Sequence, residues 1–393
     1  MKDKHKSKIG IIGAGAAGLA AAVTASCVLL KSEKTSEWQI DLLEKKNEPG
    51  KKILATGNGK CNLTNKNAED FQVCEKFFND LGILLAEESD GRMYPYSKQA
   101  RTVRDTLLSA AVSNDVNVFV DVTIEKIEKV EDGFLLIDQN KKRYKYQRLI
   151  LTTGGKAGMQ HGSDGSGLSM VRKLGVLVSP ILPALVPMTY GHNPGLDLSG
   201  LKGVRTFVNL CLRNKQTVLA KEQGELQFTD YGLSGICIFD LSRYLKGIPK
   251  TSNRISNCTV QIDMVPDFSY DELVSLFENN LQAGLKGVVN EKIEKMLLNA
   301  GIHPGRDAAK AAGLLKAFSV NIDGTKGWKE AQVTSGGVQL DQINMESMES
   351  KNIEGLFLAG EILDYDGPCG GYNLSWAWGS GIKAGLGAVN GIG

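Results

Sequence analysis

Residues 8–18 read KIGIIGAGAAG, and this stretch decides the fold. Its apolar beginning predicts a buried strand, its glycines predict a tight turn, and the alanine-rich residues 16–30 predict a helix. Residues 38–43 then predict a second strand that ends at Glu44. A strand, a glycine turn, a helix and a second strand with an acidic end are typical of a unit that binds a dinucleotide.

The three spaced glycines have different tasks in such a unit. Gly13 permits the sharp turn, Gly15 lets the backbone approach a pyrophosphate, and Gly18 lets the helix pack closely on the strand. The helix N-terminus offers unpaired N–H groups to phosphates, and Glu44 accepts hydrogen bonds from a ribose. We therefore predict a Rossmann-like α/β domain with these binding residues: Gly13, Gly15, Ala16, Ala17, Gly18, Glu44 and Lys45.

The segment after the second strand is rich in glycine and lysine. Residues 49–65 read PGKKILATGNGKCNLTN, which predicts a polar loop around a cofactor. Its lysines would neutralise a pyrophosphate, and its glycines would let backbone amides approach it. Cys61 has no partner cysteine nearby, so we interpret it as a packed small side chain rather than a reactive thiolate. The predicted contacts are Lys52, Thr56, Gly57, Cys61 and Asn62.

Two further segments concern the adenosine half of a dinucleotide. Residues 148–155 form an apolar strand that stops at TTGG, and a strand over residues 117–125 would lie alongside it. The predicted contacts are Val122, Thr153, Gly154 and Gly155. Residues 162–167 read GSDGSG, but their spacing is wrong for a second fingerprint, so NADH or NADPH is expected only as a transient reductant.

The C-terminal segment 355–381 contains the most specific string, GLFLAGEILDYDGPCGGYNLSWAWGSG. A helix that starts near Tyr372 would point its positive end at the edge of a flavin ring, where charge accumulates on reduction. We expect Trp376 and Trp378 to pack. The predicted cofactor contacts are Gly360, Glu361, Gly371, Asn373 and Leu374. Tyr372 and Asp364 are candidate proton donors, although Asp364 has a strong structural alternative as a ribityl acceptor or turn cap.

Together, GAGAAG, the 49–65 segment, LTTGG, FTDYGLSG, TSGGV and the C-terminal string resemble the BaiN-type, aminoacetone-oxidase-like flavoproteins. The resemblance runs from about residue 8 onward and implies FAD as cofactor. It also implies a small β-barrel with a helical insertion over the flavin. The implied FAD contacts are Gly13, Gly15, Gly18, Glu44, Asn62, Gly154, Gly360, Glu361 and Asn373. The sequence departs from the family at Lys60, usually arginine, and at Cys369, more often threonine.

The expected architecture is a Rossmann-like FAD-binding domain with an inserted small β-barrel and helical subdomain. The FAD-binding domain is expected at residues 1–190 and 335–393. The barrel is expected at 191–240 and 315–334, and the helical insert at 241–314. A chain of 393 residues is long enough for several cores.

Composition excludes several classes of partner. Lysine plus arginine exceed acidic residues by 46 − 44 = 2, which leaves no strong charge for nucleic acid or for an anionic membrane. The glycines interrupt the apolar N-terminal run, so neither a signal peptide nor a membrane span is predicted. Seven dispersed cysteines and four histidines predict free thiols, no metal site and a cytoplasmic location. Oligomeric state stays open.

Three functions remain compatible with this pattern. The leading one is an FAD-dependent oxidoreductase that reduces a carbon–carbon double bond conjugated to a carbonyl in a small molecule. The second is oxidation of a small amine or aminoketone with oxygen as the oxidant. The third is a flavin-binding protein without catalysis.

Overall fold

The computed structural model describes residues 6–248, 250–251, 254–279 and 284–392, with only the backbone of 250–251. The chain divides into two compact units. The first comprises Met1–Leu182 and Val333–Gly393, and the second comprises Pro183–Gln332. Each unit has its own hydrophobic core.

A five-stranded parallel sheet forms the centre of the first unit. The glycine turn follows its middle strand, Ser7–Ile12, whose last four residues are buried. This strand pairs on one side with the strand that ends before Glu44 and on the other with the strand that ends before TTGG. From one edge to the other, the strands are Leu356–Leu358, Arg148–Leu151, Ser7–Ile12, Trp38–Leu43 and Asn117–Phe119. The predicted α/β fold is confirmed.

The single strand expected over residues 117–125 is wrong. The parallel strand ends at Phe119, and the chain resumes as Ile124–Val130 in a separate antiparallel sheet. Asp121 turns the backbone with a φ of 57°, and Val122 donates its N–H to the carbonyl of Glu44 at 2.9 Å. Val122 therefore lies in a link between two sheets.

Two helices pack against each other beside the sheet, Ala16–Lys31 and Tyr372–Val389. A Cβ on Gly381 would lie 2.4 Å from the carbonyl oxygen of Ala17, and one on Gly385 would lie 2.6 Å from that of Ala21. No larger residue fits at either position without displacing backbone, so the two helices are in close contact.

Residues 49–65 are not the open polar loop that was expected. The chain forms a short helix, Lys51–Ala55, a single 3₁₀ turn and a two-residue strand, Thr64–Asn65, which pairs in a small antiparallel sheet. Ile53 and Leu63 are buried. The few apolar residues anchor the segment, while Lys51 and Lys52 are half-buried and Lys60 is exposed.

The remaining elements of the first unit complete its layers. The other helices are Phe71–Asp80, Ala100–Ser113 and Ser166–Lys173. One antiparallel sheet contains Thr64–Asn65, Arg92–Pro95 and Leu85–Glu87, and the other contains Ile124–Val130, Gly133–Asp138 and Arg143–Tyr146.

The second unit contains a closed barrel. Its strands in order are Met188–Tyr190, Gly232–Ser234, Thr217–Phe228, Arg205–Asn214, Cys258–Asp263 and Phe318–Thr325. The helices of this unit are Ile236–Ser242, Tyr270–Asn279, Glu291–Asn299 and Ala308–Lys316. A barrel and helices in the middle of the chain confirm the expected fold class.

The barrel includes strands from outside its expected ranges. Met188–Tyr190 was assigned to the FAD-binding domain, and Cys258–Asp263 to the helical insert. Met188 pairs with Thr325, and alternate residues of Cys258–Asp263 are buried in the barrel core. These short strands lie beside turns and helices in the sequence, and only their pairing assigns them to the barrel.

Three further observations concern chemistry-bearing groups. All seven cysteines are free thiols. Across the described ranges, no group of three or more His, Cys, Asp or Glu side chains comes together in a way that would hold a metal ion. No helix within the same ranges is both long and apolar enough to cross a membrane.

The helix contact gives a stability prediction. Gly381→Val should lower the free energy of unfolding by about 1 to 3 kcal/mol, because its Cβ would overlap the Ala17 carbonyl. Gly287→Ala is the control, since a Cβ there meets nothing within 4 Å. Urea denaturation measures both, and equal stability of the two variants would contradict the contact.

Candidate functional site

The glycine turn has two glycines that the protein itself requires and one that it does not. Gly13 has a φ of 99°, and a Cβ on Gly18 would lie 1.8 Å from the Gly13 carbonyl oxygen. A Cβ on Gly15, in contrast, would meet nothing within 4 Å. Gly15 directly precedes the helix Ala16–Lys31, so the open space lies at the N–H groups of its first turn. This is the cradle that a pyrophosphate requires.

Glu44 ties the second strand to the glycine turn. Its carboxylate is nearly buried and accepts the Ala14 N–H at 2.9 Å and the Lys46 N–H at 2.9 Å. These bonds fix the carboxylate at the carboxyl edge of the sheet, beside the turn. A carboxylate oxygen has more than one lone pair, so the group can also accept a ribose hydroxyl.

Two polar atoms at this edge are buried without a partner among the described residues, Asn62 Oδ1 and Thr153 Oγ1. Leaving a buried polar atom unpaired costs about 1 to 3 kcal/mol. A ligand that supplies hydrogen bonds at these atoms would remove that cost. Both residues belong to segments that the sequence assigns to the cofactor. These two polar atoms therefore fit hydrogen bonding to a dinucleotide.

Lys52 and Glu361 form an ion pair instead of acting separately. Lys52 Nζ lies 2.6 Å from Glu361 Oε2 and donates to the Ala157 carbonyl at 3.0 Å. The other oxygen of Glu361 accepts the Thr334 N–H at 2.8 Å. The Lys52 ammonium is already paired with the Glu361 carboxylate. The structure therefore does not favour the expected role of Lys52 as a free positive charge for a pyrophosphate. The pair joins two distant segments of the chain.

Cys61 is a packed residue. Its side chain is fully buried, and burial raises the pKa of its thiol to about 12, although a hydrogen bond with Thr56 opposes that shift. The Thr56 carbonyl accepts the Cys61 N–H at 3.1 Å, and the Thr56 hydroxyl donates to the Ile53 carbonyl at 2.6 Å. The interpretation as a small packed side chain agrees with this environment, since a thiolate would not form.

The helix Tyr372–Val389 begins from a tightly held turn. Gly371 has a φ of 102°, and a Cβ there would lie 2.5 Å from the Thr64 carbonyl oxygen. The amide of Asn373 accepts the Gly367 N–H at 2.9 Å and donates to the Gly367 carbonyl at 2.8 Å. The Asn373 side chain therefore locks the turn, a role that the sequence did not indicate.

The two candidate proton donors lie on either side of this turn. Tyr372 is the first residue of the helix and is half-buried. Asp364 is half-buried and donates its backbone N–H to the Val338 carbonyl at 2.8 Å. Leu374 is half-buried in the first helical turn, beside Tyr372.

The tryptophans of the C-terminal helix pack, as expected. Trp376 donates its indole N–H to the Gly360 carbonyl at 3.2 Å and stacks on Tyr365 with ring centroids 4.4 Å apart. Trp378 is fully buried and donates to the Leu63 carbonyl at 2.9 Å. Gly360 is thus fixed between the two long helices, where a Cβ would lie 2.9 Å from that of Ala17.

The strand end at TTGG is equally crowded. A Cβ on Gly155 would lie 2.3 Å from Thr334 Oγ1, and Gly154 has a φ of 71°. In the 49–65 segment, a Cβ on Gly57 would lie 2.8 Å from the Asn62 nitrogen. These glycines are therefore required by the protein's own packing, whatever they contact in a ligand.

Tyr94 was missed by the sequence analysis. It lies on the strand Arg92–Pro95, and its ring carbon Cε1 would be 3.3 Å from a Cβ on Gly57. Burial, and then Glu88, raise the pKa of its phenol. The phenol therefore stays protonated at neutral pH beside the segment that contains Asn62. Only strand pairing brings it there, and no local motif marks it.

The chain is similar to known proteins along most of its length. A family model described as the HI0933-like protein Rossmann domain matches residues 69–387. The chain is 34% identical to the 3-dehydro-bile acid delta(4,6)-reductase of Clostridium scindens, across 98% of this chain and 99% of that protein. It is 28% identical to the ribosomal RNA dihydrouridine synthase of Escherichia coli, across 94% of this chain and 95% of that protein.

Among solved structures, the 3-ketosteroid-delta4-(5alpha)-dehydrogenase of Rhodococcus jostii RHA1 superposes with a TM-score of 0.50 at 14% identity. The match covers 98% of this chain and 97% of that chain. This likeness shows a common fold.

The open space at Gly15 gives a prediction that separates ligand binding from folding. Gly15→Val should leave the thermal stability of the apoprotein unchanged but weaken dinucleotide binding by at least about tenfold, because the side chain fills the cradle. Calorimetric titration with ADP measures the affinity. Gly18→Ala is the contrasting variant and should destabilise the apoprotein itself, since its Cβ overlaps the Gly13 carbonyl. Unimpaired ADP binding by Gly15→Val would remove the cradle from the site.

Proposed function

The chain, an FAD-dependent oxidoreductase, belongs to the family described as the HI0933-like protein Rossmann domain, and on that premise we propose that it reduces a carbon–carbon double bond conjugated to a carbonyl. The names of two relatives support this proposal. A delta(4,6)-reductase of a 3-dehydro-bile acid saturates bonds conjugated to a ketone, and dihydrouridine is uridine with the double bond beside its carbonyl reduced. The shared chemistry is the observation that carries the proposal.

The residues at the carboxyl edge of the sheet would hold FAD. The Gly13–Gly18 turn and the first N–H groups of the helix Ala16–Lys31 would receive the pyrophosphate. Glu44 would accept a ribose hydroxyl, and the unpaired Asn62 Oδ1 and Thr153 Oγ1 would be satisfied by the cofactor. When bound, FAD supplies a hydride at N5 of its reduced ring.

The remaining predicted contacts form two groups. In one group the side chains are already engaged within the protein, and in the other they line the edge of the sheet. Glu361, Gly371 and Asn373 would act mainly by shaping the flavin end of the site, because their own groups hold turns or ion pairs. Residues that line the edge through backbone or half-buried side chains are proposed as direct contacts: Ala16, Ala17, Thr56, Gly57, Val122, Gly154, Gly155, Gly360 and Leu374. Lys45 is proposed to act through its ion pair with Asp164 rather than by contact with FAD.

Tyr372 is the proposed proton donor to the carbon beside the carbonyl. A phenol is protonated at neutral pH and can donate within hydrogen-bond reach. The helix that starts at Tyr372 also presents its positive end, which stabilises negative charge that develops during reduction. Asp364 is the alternative donor, although a carboxyl group in this turn can equally act as a cap.

NADH or NADPH is the proposed electron donor, bound only transiently. The first unit has one glycine fingerprint, and the GSDGSG segment leads into the helix Ser166–Lys173 without a following acidic strand end. A nicotinamide and the substrate would then use the same flavin face in turn. This arrangement predicts ping-pong kinetics.

The substrate class is tested by a direct comparison. The purified protein should release FAD, not FMN, on denaturation, and the reduced protein should be reoxidised anaerobically by a conjugated enone such as a 4-en-3-oxo steroid. An RNA fragment that contains uridine tests the alternative substrate that the dihydrouridine synthases suggest. A small aminoketone tests the oxidase alternative.

Stopped-flow absorbance of the flavin follows each reaction, and initial rates with NADPH establish the kinetic mechanism. FMN in the extract would overturn the proposal. So would a flavin that the aminoketone reduces and that oxygen, but not the enone, reoxidises. Intersecting initial-rate lines would reject the alternating use of one flavin face.

Tyr372→Phe tests the proton donor. Flavin content and the rate of flavin reduction should be retained, while substrate turnover should fall by about 10²- to 10⁴-fold, the usual range for a lost general acid. Tyr96→Phe is the matched control, because Tyr96 is exposed and lies outside the site. Asp364→Asn should lower flavin content instead. Turnover of Tyr372→Phe near that of the control would exclude Tyr372.

A further inference from the structure

The loop of residues 156–165, here called the latch loop, follows the TTGG turn after the strand Arg148–Leu151 and returns to Gly155. Its base is closed by a hydrogen bond from the Gly165 N–H to the Gly155 carbonyl at 2.9 Å. The GSDGSG motif forms its second half and leads into the helix Ser166–Lys173. The motif therefore does not form a separate nucleotide-binding loop. It belongs to a loop whose two ends are hydrogen-bonded to each other at the carboxyl edge of the sheet.

The latch loop reaches across the glycine turn. Asp164 forms an ion pair with Lys45, and the distance between Oδ1 and Nζ is 2.8 Å. Lys45 follows the strand Trp38–Leu43, whereas the loop follows Arg148–Leu151. The strand Ser7–Ile12 lies between those two strands. The ion pair consequently joins the two sides of the strand whose end carries the dinucleotide turn.

Two further contacts hold the loop in place. Lys52 donates to the carbonyl of Ala157, in its first half, at 3.0 Å. The helix that follows the loop is pressed onto the TTGG turn, where a Cβ on Gly167 would lie 1.8 Å from Thr153 Oγ1. A Cβ on Gly154 would likewise lie 2.7 Å from Ser163 Oγ. Gly167 of GSDGSG thus lies directly against the unpaired Thr153 hydroxyl, and Ser163 lies against Gly154.

We infer that Asp164, acting through Lys45, is a positioning residue that closes the latch loop over the adenosine half of FAD and sets the rate of cofactor exchange. The inference rests on the proposed function, because it requires FAD in the dinucleotide turn. Burial raises the pKa of the Asp164 carboxyl, but hydrogen bonds from Lys45 and Ser166 lower it by a larger amount, to about 2. The carboxylate is therefore charged and the latch closed at neutral pH.

The strength of the latch follows from its exposure. The Lys45 and Asp164 side chains are 23% and 45% exposed, so the pair is partly screened by solvent. Pairs of this kind contribute about 0.2 to 1 kcal/mol, which corresponds to a rate change of up to about fivefold. The latch would slow FAD release without being required for folding.

The test measures FAD release from the purified holoprotein by the rise of free-flavin fluorescence after dilution. Asp164→Asn keeps the acceptor for the Ser166 N–H but removes the charge, and should accelerate release about two- to fivefold. Lys45→Met should do the same, and the double variant should release FAD no faster than either single variant. Asp164→Glu should restore slow release, and raised salt should accelerate release only in proteins that retain the pair.

Asp80→Asn is the matched control, because it breaks the exposed Lys76–Asp80 ion pair of 2.9 Å on another helix. ADP affinity of the apoproteins gives a second measure and should fall by the same factor in Asp164→Asn. Wild-type protein that carries no FAD would reject the proposed function. If the wild type retains FAD but Asp164→Asn releases it at the rate of the control, the latch is rejected and the proposed function stands. The same holds if the effects of the two single variants add up in the double variant.

Discussion

Gly18 lies directly against the carbonyl of Gly13, and the cofactor edge depends on this contact. A Cβ on Gly18 would lie 1.8 Å from that oxygen, so the first turn of the helix Ala16–Lys31 rests directly on the end of the strand Ser7–Ile12. Thr152 completes the contact, with its hydroxyl 2.7 Å from the same oxygen. This contact directs the free N–H groups of the helix to the edge where the strands end.

The C-terminal helix Tyr372–Val389 uses the same device from the other side. Its glycines admit the carbonyls of the first helix, and Gly360 is caught between the two helices. The proposed positions of the flavin and of the pyrophosphate are consequently both fixed by one closely packed pair of helices. Rigid elements place functional groups more accurately than loops do, which suits a reaction that depends on the distance of a hydride transfer.

The sequence predicted what is local and periodic. The glycine turn, its two flanking strands and the packing of Trp376 and Trp378 follow from spacing and residue size, and the structure agrees. The errors occur where distant pairing decides. The sequence predicts Lys52 as a free charge, because Glu361, its ion-pair partner, is distant in the sequence. The strand Cys258–Asp263 is assigned to the barrel only by its pairing with two barrel strands. No local motif marks Tyr94, and the GSDGSG motif that contains Asp164 does not indicate its ion pair with Lys45, because both contacts form between distant segments.

The second unit interrupts the first, and this order has a consequence for biosynthesis. The strand Arg148–Leu151 pairs with Leu356–Leu358, and the helix that covers the sheet begins only at Tyr372. During translation, the emerging N-terminal half therefore exposes one sheet edge and the apolar face of its first helix while the barrel is synthesised. Contacts between such distant segments slow folding, and unpaired edges promote aggregation. Folding of the first unit is therefore expected to finish only after the last helix emerges, whereas the barrel unit can fold earlier.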